Sequence, residues 1–203
     1  DGDGLGDNAD DDDDGDGVPD DEDAFPLDPN ETTDTDGDGV GDNADTHPFD
    51  FDNDGINDDV DGVFNIAPGT PGLIGLAIEN ARSGHVIRLE AGTYFEGSSV
   101  DTLGKAIMIR GETDAQGLPA TILDGASTHR GLECVSGEGN DTVFENLVIQ
   151  NASSDRGGGM FTRSSSPTLA NCHFRSNTAT QGGGMLSEGG RPALNDCAFI
   201  ANN

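Results

Sequence analysis

The pattern D-x-D-x-D-G-x-x-D-x-x-D fits the first part of the chain three times without a mismatch, and it constrains the fold more than any other feature. The copies run through Asp12, Asp14, Asp16, Gly17, Asp20 and Asp23, then Asp34, Asp36, Asp38, Gly39, Asp42 and Asp45, then Asp50, Asp52, Asp54, Gly55, Asp58 and Asp61. Asp1, Asp3, Gly4, Asp7 and Asp10 fit a fourth copy whose first position would precede Asp1. Because Asn203 also falls inside a repeat, the chain reads as cut at both ends.

Calcium chemistry accounts for the spacing. The ion takes six to eight oxygen ligands at about 2.3–2.6 Å, and a chain wrapped around it offers side chains at alternate positions only if it turns sharply in the middle. Glycine at the sixth position permits that turn. The seventh position then supplies a backbone carbonyl, which nominates Val18, Val40 and Ile56, and positions nine and twelve close the shell. Five carboxylates share each loop, and two like charges about 5 Å apart repel by about 3 kcal/mol at an effective dielectric of about 20. The expected cofactor is therefore Ca2+, several ions per chain. Magnesium demands a stricter octahedron and keeps its waters, and the ligand positions carry no His, Cys or Glu to suit zinc.

Charge divides the chain in the same place. Of its 40 Asp and Glu, 26 lie in residues 1–62, which hold no Lys or Arg, while the other 14 face all 9 basic residues. The two parts therefore carry −26 and −5. The arm's aromatic residues are Phe25, Phe49 and Phe51, too little apolar surface to offset the entropy of ordering it. So acidic a chain is repelled by nucleic acid and anionic lipid. It has no apolar run near the ~18 residues of a membrane span and nothing that reads as a signal peptide.

The copies start 22 and 16 residues apart, with Ala24-Phe25-Pro26-Leu27-Asp28-Pro29 and Thr46-His47-Pro48-Phe49 between them. Proline-broken connectors are not the exiting helices of EF-hands or dockerins. Residues 1–62 instead resemble bacterial thrombospondin type 3 repeats, which share the Asp pattern and the D-A-F-P connector at Asp23 to Pro26. That resemblance implies a calcium-stiffened extracellular stalk associated with adhesion. Animal repeats of this kind carry disulfides, whereas this arm has no Cys.

From residue 63 the composition changes to short apolar alternations with glycine. Leu73, Leu76, Ala77 and Ile78 fall at helical spacing between Gly72 and Arg82. Val86-Ile87-Arg88-Leu89, Ala106-Ile107-Met108-Ile109 and Thr121-Ile122-Leu123 read as strands. Further on, Gly157-Gly158-Gly159-Met160 recurs 25 residues later as Gly182-Gly183-Gly184-Met185. Phe144, Leu169 and Leu194 share one register, as do Leu147, Cys172 and Cys197, and Ile149, Phe174 and Phe199. Like residues in columns at a fixed period mean stacked coils, each burying its apolar positions against the next.

The fold expected for residues 63–203 is a mainly β solenoid, a right-handed parallel β-helix of about 25 residues per coil. Leu89-Glu90-Ala91-Gly92-Thr93-Tyr94-Phe95-Glu96 resembles the opening segment of pectin-lyase-like β-helix proteins. The Phe174-Arg175-Ser176-Asn177, Phe199-Ile200-Ala201-Asn202 and Gly-Gly-Gly-Met units are similar to the repeats of polymorphic outer-membrane autotransporters, with Ala152 where the first coil should carry Asn. These resemblances imply a secreted or surface-displayed bacterial protein whose β-helix meets polysaccharide or cell-surface glycan and protein.

A polysaccharide lyase or glycoside hydrolase is the rival reading. However, the N-T-D, D-D and G-H-G signatures of polygalacturonases and the R-x-P-x-x-R of pectate lyases have no match, so no catalytic residue is assigned. Cys172 and Cys197 stack in adjacent coils, where the apolar column favours buried thiols over a bridge. Asn177 and Asn202 read as a ladder satisfying turn backbone, and the triple glycines as tight turns. His47, His85, His129 and His173 are isolated.

Overall fold

A computed structural model describes residues 10–37, 39–48, 50 and 62–203. Contacts divide the chain between Asp61 and Gly62 into two compact units.

The second unit is a parallel β-solenoid of about six turns. The first turn holds strand β1 (Val63–Ile66) and helix α1 (Leu73–Asn80). The second carries β2 (Val86–Leu89), β3 (Gly92–Tyr94) and β4 (Val100–Asp101), and the third β5 (Met108–Gly111), β6 (Thr121–Asp124) and β7 (Leu132–Cys134). The next holds β8 (Val143–Glu145), β9 (Leu147–Gln150), β10 (Ser153–Arg156) and β11 (Met160–Arg163). It is repeated by β12 (Thr168–Ala170), β13 (His173–Arg175), β14 (Thr178–Gln181) and β15 (Met185–Glu188), and β16 (Ala193–Asn195) and β17 (Ala198–Ile200) finish the stack. Every strand pairs in parallel with its equivalent one turn away, giving sheets β1-β2-β5-β8-β12-β16, β3-β6-β9-β13-β17, β4-β7-β11-β15 and β10-β14.

The columns read from the sequence are internal ladders. Phe64, Ile87, Ile109, Phe144, Leu169 and Leu194 are register partners through six turns, and all but Leu194 are buried. A second ladder runs Tyr94, Leu123, Ile149, Phe174, Phe199. Its last two rings stack with centroids 4.9 Å apart. Each such side chain contributes about 1.5–3 kcal/mol by leaving water, and it does so only because a like residue lies above or below it.

Corners between sheets are made by single residues in the left-handed region, also at the 25-residue period. Asn146, Asn171 and Asp196 have φ of 58°, 50° and 52°, and Asn151, Ser176 and Ala201 have 49°, 55° and 51°. Asn and Asp tolerate this conformation better than other non-glycine residues. The triple glycines divide their work. Gly157 has φ 60° and makes the turn, whereas a Cβ on Gly158 or Gly159 would run into the carbonyl oxygens of Gly183 and Gly184 in the next coil.

Two features depart from the sequence reading. A strand, β1, precedes the helix, formed by alternation in which Phe64 and Ile66 point inward. The period is also uneven: the first ladder advances from Phe64 to Ile87 to Ile109 to Phe144, steps of 23, 22 and 35, before settling at 25. The long coil accommodates an antiparallel excursion closed by Thr113 and Pro119 and the turn around Glu138. Helix α1 buries Ile74, Ala77 and Ile78 against β1, β2 and β4. The Lys105 ammonium donates to the Ile78 and Glu79 carbonyls at 2.6 and 2.7 Å, satisfying orphan acceptors at its C-terminal end.

Burial is inverted in the first unit. Among its described residues, the buried side chains are those of Glu31, Asp36 and Asp50, and none is apolar.

Candidate metal centre

The described residues of the first two Asp copies share their turn conformation and several hydrogen bonds 22 residues apart. At position six, Gly17 and Gly39 have φ of 101° and 90°, the sharp turn expected there. Gly15 and Gly37 at position four are also left-handed, at 76° and 79°, which the pattern did not reveal.

Position one braces the loop in both copies. The Asp12 carboxylate accepts the N–H groups of Gly15 and Gly17 at 2.9 and 3.1 Å, and Asp34 accepts those of Gly37 and Gly39 at 2.8 and 2.9 Å. Position nine also reaches back across the loop. Asp20 Oδ1 accepts from Asp13 N–H at 2.9 Å and Asp42 Oδ1 from Thr35 N–H at 2.8 Å. At position twelve, Asp23 Oδ1 takes the Phe25 N–H and Asp45 Oδ1 the His47 N–H, both at 2.8 Å.

These bonds leave a particular set of oxygens over. At position three Asp14 Oδ1 accepts from Asp16 N–H, and at position five Asp16 Oδ1 accepts from Val18 N–H. Asp14 Oδ2 and Asp23 Oδ2 are shielded from solvent and have no hydrogen-bond partner among the described residues. Each of Asp12, Asp14 and Asp16 offers a carboxylate oxygen within 4.8 Å of the others. Desolvation pushes the Asp14 carboxyl above its usual range; the Asp16 N–H opposes this, while the charges of Asp16, Asp23 and Asp12 add to it.

A divalent cation fits this donor set. The oxygens are hard, they converge, and two are buried without a donor, which is costly unless a positive charge compensates. Of the residues nominated from sequence, Asp12, Asp14 and Asp16 bring carboxylate oxygens together, and Asp23 keeps one shielded oxygen without a partner among the described residues. Val18 is half-buried at position seven and Asp20 serves as a brace.

In the second copy, Asp34 and Asp45 repeat the first copy's bonds, but Asp42 has both oxygens engaged. Thr35 and Thr33 hydroxyls donate to its Oδ2 at 2.6 and 2.9 Å. Desolvation works against ionisation of Asp42, yet the bonds from Thr35 and Thr33 outweigh it and hold the carboxyl below its ordinary value. Asp36 Oδ2 accepts from the Asp50 N–H at 3.0 Å, linking position three of the second copy to position one of the third. Val40 lies in this loop with its side chain exposed, and Asp10 precedes the first copy, accepting the Asp12 N–H at 3.3 Å. Asp1, Asp3, Asp7, Asp38, Asp52, Asp54, Ile56, Asp58 and Asp61 lie outside the described residues.

Glu31 falls outside the Asp pattern, so spacing could not single it out. It is buried against Gly41 and accepts the Asn43 N–H at 3.0 Å, pinning the connector to the second loop.

On the solenoid the Asn ladder forms as expected. Asn177 is fully buried, accepting from Ala152 N–H at 2.9 Å and donating to the Ile149 carbonyl at 2.9 Å. All three cysteines are free. A shallow cleft of about 550 Å3 opens where β10 and β14 begin, lined by Ser99, Thr128, Ser153, Ser154, Thr178 and Thr180 with His129, Arg130 and Asp155. Among the described residues no helix is long and apolar enough to cross a membrane.

Comparison with models of known protein families, with curated proteins and with solved structures finds no match.

Proposed function

We propose that the first unit is a calcium-binding arm, of the thrombospondin type 3 kind, on a secreted or cell-surface protein. The observation that carries this reading is the pair of shielded, unpartnered oxygens on Asp14 and Asp23, at positions three and twelve of the first loop, in a unit whose buried side chains among the described residues are acidic. With no Lys or Arg in residues 1–62, compensation for those carboxylates comes from an external cation. Calcium suits them because it accepts many oxygens in flexible geometry, and sites of extracellular modules bind it at about 0.1–1 mM. When bound, the ion supplies charge neutralisation and cross-linking. The Asp12 and Asp34 carboxylates, through their glycine N–H bonds, hold the turn that presents the remaining ligands.

The solenoid then acts as a ligand-bearing surface, of the kind found in pectin-lyase-like and autotransporter proteins. Its hydroxyl-lined cleft offers groups that both donate and accept, a match for saccharide hydroxyl groups.

Competition against a chromophoric calcium chelator tests the first part: several calcium equivalents are expected, with magnesium far weaker, and Asp14→Asn should remove one site. Equal affinity for both ions would overturn it. A glycan array read beside polygalacturonate turnover tests the second. Binding without new reducing or unsaturated ends supports a surface protein, and turnover moves the solenoid to the enzymes.

A further inference from the structure

We propose that Cys172 and Cys197 form a reactive dithiol, a modification site at which a low-molecular-weight disulfide installs a staple between the last two turns of the solenoid. The inference does not depend on calcium.

The geometry comes from the coil repeat. His173 and Ala198 are register partners, and the Ala198 N–H donates to the Cys172 carbonyl at 3.0 Å. Cys172 and Cys197 thus hold equivalent positions immediately before adjacent parallel strands, about 4.8 Å apart, within the Cα separation of about 4.4–6.8 Å that a disulfide spans. Their side chains point the same way: Cys172 Sγ lies 3.4 Å from the Phe144 carbonyl oxygen and Cys197 Sγ 3.7 Å from the equivalent Leu169 oxygen. Each thiol also lies within reach of its own coil, Cys172 Sγ 3.5 Å from the Ala170 carbonyl oxygen and Cys197 Sγ 3.4 Å from the Asn195 oxygen.

They differ in access. Cys172 is buried, while Cys197 is partly exposed. The neighbouring Cys172 thiol pulls the Cys197 thiol below its usual value, whereas Cys197 and burial push Cys172 well up. The sulfur that loses its proton more readily is the one solvent reaches. Cys134 is the internal control. Burial first, then the Glu138 charge, push its thiol far above the usual range.

The chemistry follows thiol–disulfide exchange. The Cys197 thiolate attacks one sulfur of the small disulfide, forming a mixed disulfide and expelling the other half as a thiolate. Cys172 gives its proton to solvent, and its sulfur attacks Cys197 Sγ, expelling the second thiolate. Two protein thiols are oxidised to one S–S bond, and the small disulfide is reduced to two thiols.

Incubation of the intact chain with oxidised glutathione at neutral pH, followed by tryptic mapping without reductant, tests this. The expected result is loss of two hydrogen atoms, with peptides 164–175 and 176–203 linked and Cys134 unmodified. Iodoacetamide should alkylate Cys197 at least about tenfold faster than Cys134, as thiolate fraction and exposure dictate. In Cys172→Ser the reaction should stop at a glutathione adduct on Cys197. Three free thiols after treatment of the unaltered chain, a lasting adduct on its Cys197, or equal rates at Cys134 and Cys197 would each overturn the proposal.

Discussion

The side-chain amide of Asn177 donates to Oδ1 of Asn202 one turn away at 3.0 Å, and Asn202 in turn donates to the Phe174 carbonyl at 2.9 Å. Each Asn side chain thus bonds to an adjacent coil and ties its corner to that of the neighbour. Asn177→Ala would orphan the Ala152 N–H and the Ile149 carbonyl, both buried. At about 1–3 kcal/mol for each orphaned group, the solenoid should lose about 2–6 kcal/mol. Urea unfolding of the variant checks this, and a loss below about 0.5 kcal/mol would show that the ladder is ornamental.

Gly159 has no room for a side chain. A Cβ there would lie 2.7 Å from Phe174 Cδ1 and 2.8 Å from Asn177 Nδ2. Gly159→Ala should therefore destabilise by about 1–3 kcal/mol or more through overpacking. Gly137→Ala is the useful contrast, because its Cβ meets nothing nearby and the penalty comes only from its φ of 85°. Thermal unfolding should rank Gly159→Ala as the less stable of the two.

Glu138 predicts an acid limb in the stability of the solenoid. Its buried carboxylate receives the Ser165 hydroxyl at 2.7 Å and the Ser136 and Gly104 N–H groups at 3.0 Å each, joining three turns. Burial alone would raise it, but these donors and its own N–H bring the carboxyl below the ordinary glutamate value of 4.5. The unfolded chain therefore takes up the proton first as pH drops. The contribution is complete above about pH 4.5 and disappears as pH falls through the lower folded value. Glu138→Gln should cost about 1–3 kcal/mol at neutral pH and flatten that part of the profile, as read from urea midpoints across pH 3–6.

How much of this was legible beforehand differs between the two units. The ladders Phe144-Leu169-Leu194 and Ile149-Phe174-Phe199 could be read because a solenoid repeats its interior, and side chains that touch in space then sit at a constant offset in sequence. Corner residues such as Asn146 and Asn171 could not, since Asn is common in any turn and only the backbone reveals φ > 0. Glu138 and the uneven 35-residue coil were hidden for a related reason: each belongs to an excursion that occurs once. In the arm, spacing nominated every Asp of the repeated pattern alike, Asp12, Asp14, Asp16, Asp20 and Asp23 of the first copy among them. It could not separate Asp14 and Asp23, which keep an unpartnered oxygen, from Asp12 and Asp42, whose two oxygens both accept hydrogen bonds within the arm.

The last turn exposes Leu194, Phe199 and Ile200 at 46%, 47% and 53%, beside the unpaired backbone of β16 and β17. Open strand edges carrying apolar side chains recruit other strands. The 203-residue chain should self-associate with rising concentration in sedimentation velocity, and Phe199→Lys with Ile200→Lys should suppress this. A concentration-independent monomer would contradict the prediction.

The substitution of divalent ions for an apolar interior is tested most directly by limited proteolysis of the chain with calcium and after chelation, with cut sites mapped by mass spectrometry. Calcium should protect residues 1–61, and chelation should open cleavage there while residues 62–203 stay intact. If the chelator leaves the Asp-rich unit as resistant as calcium does, its carboxylates are held by something other than metal.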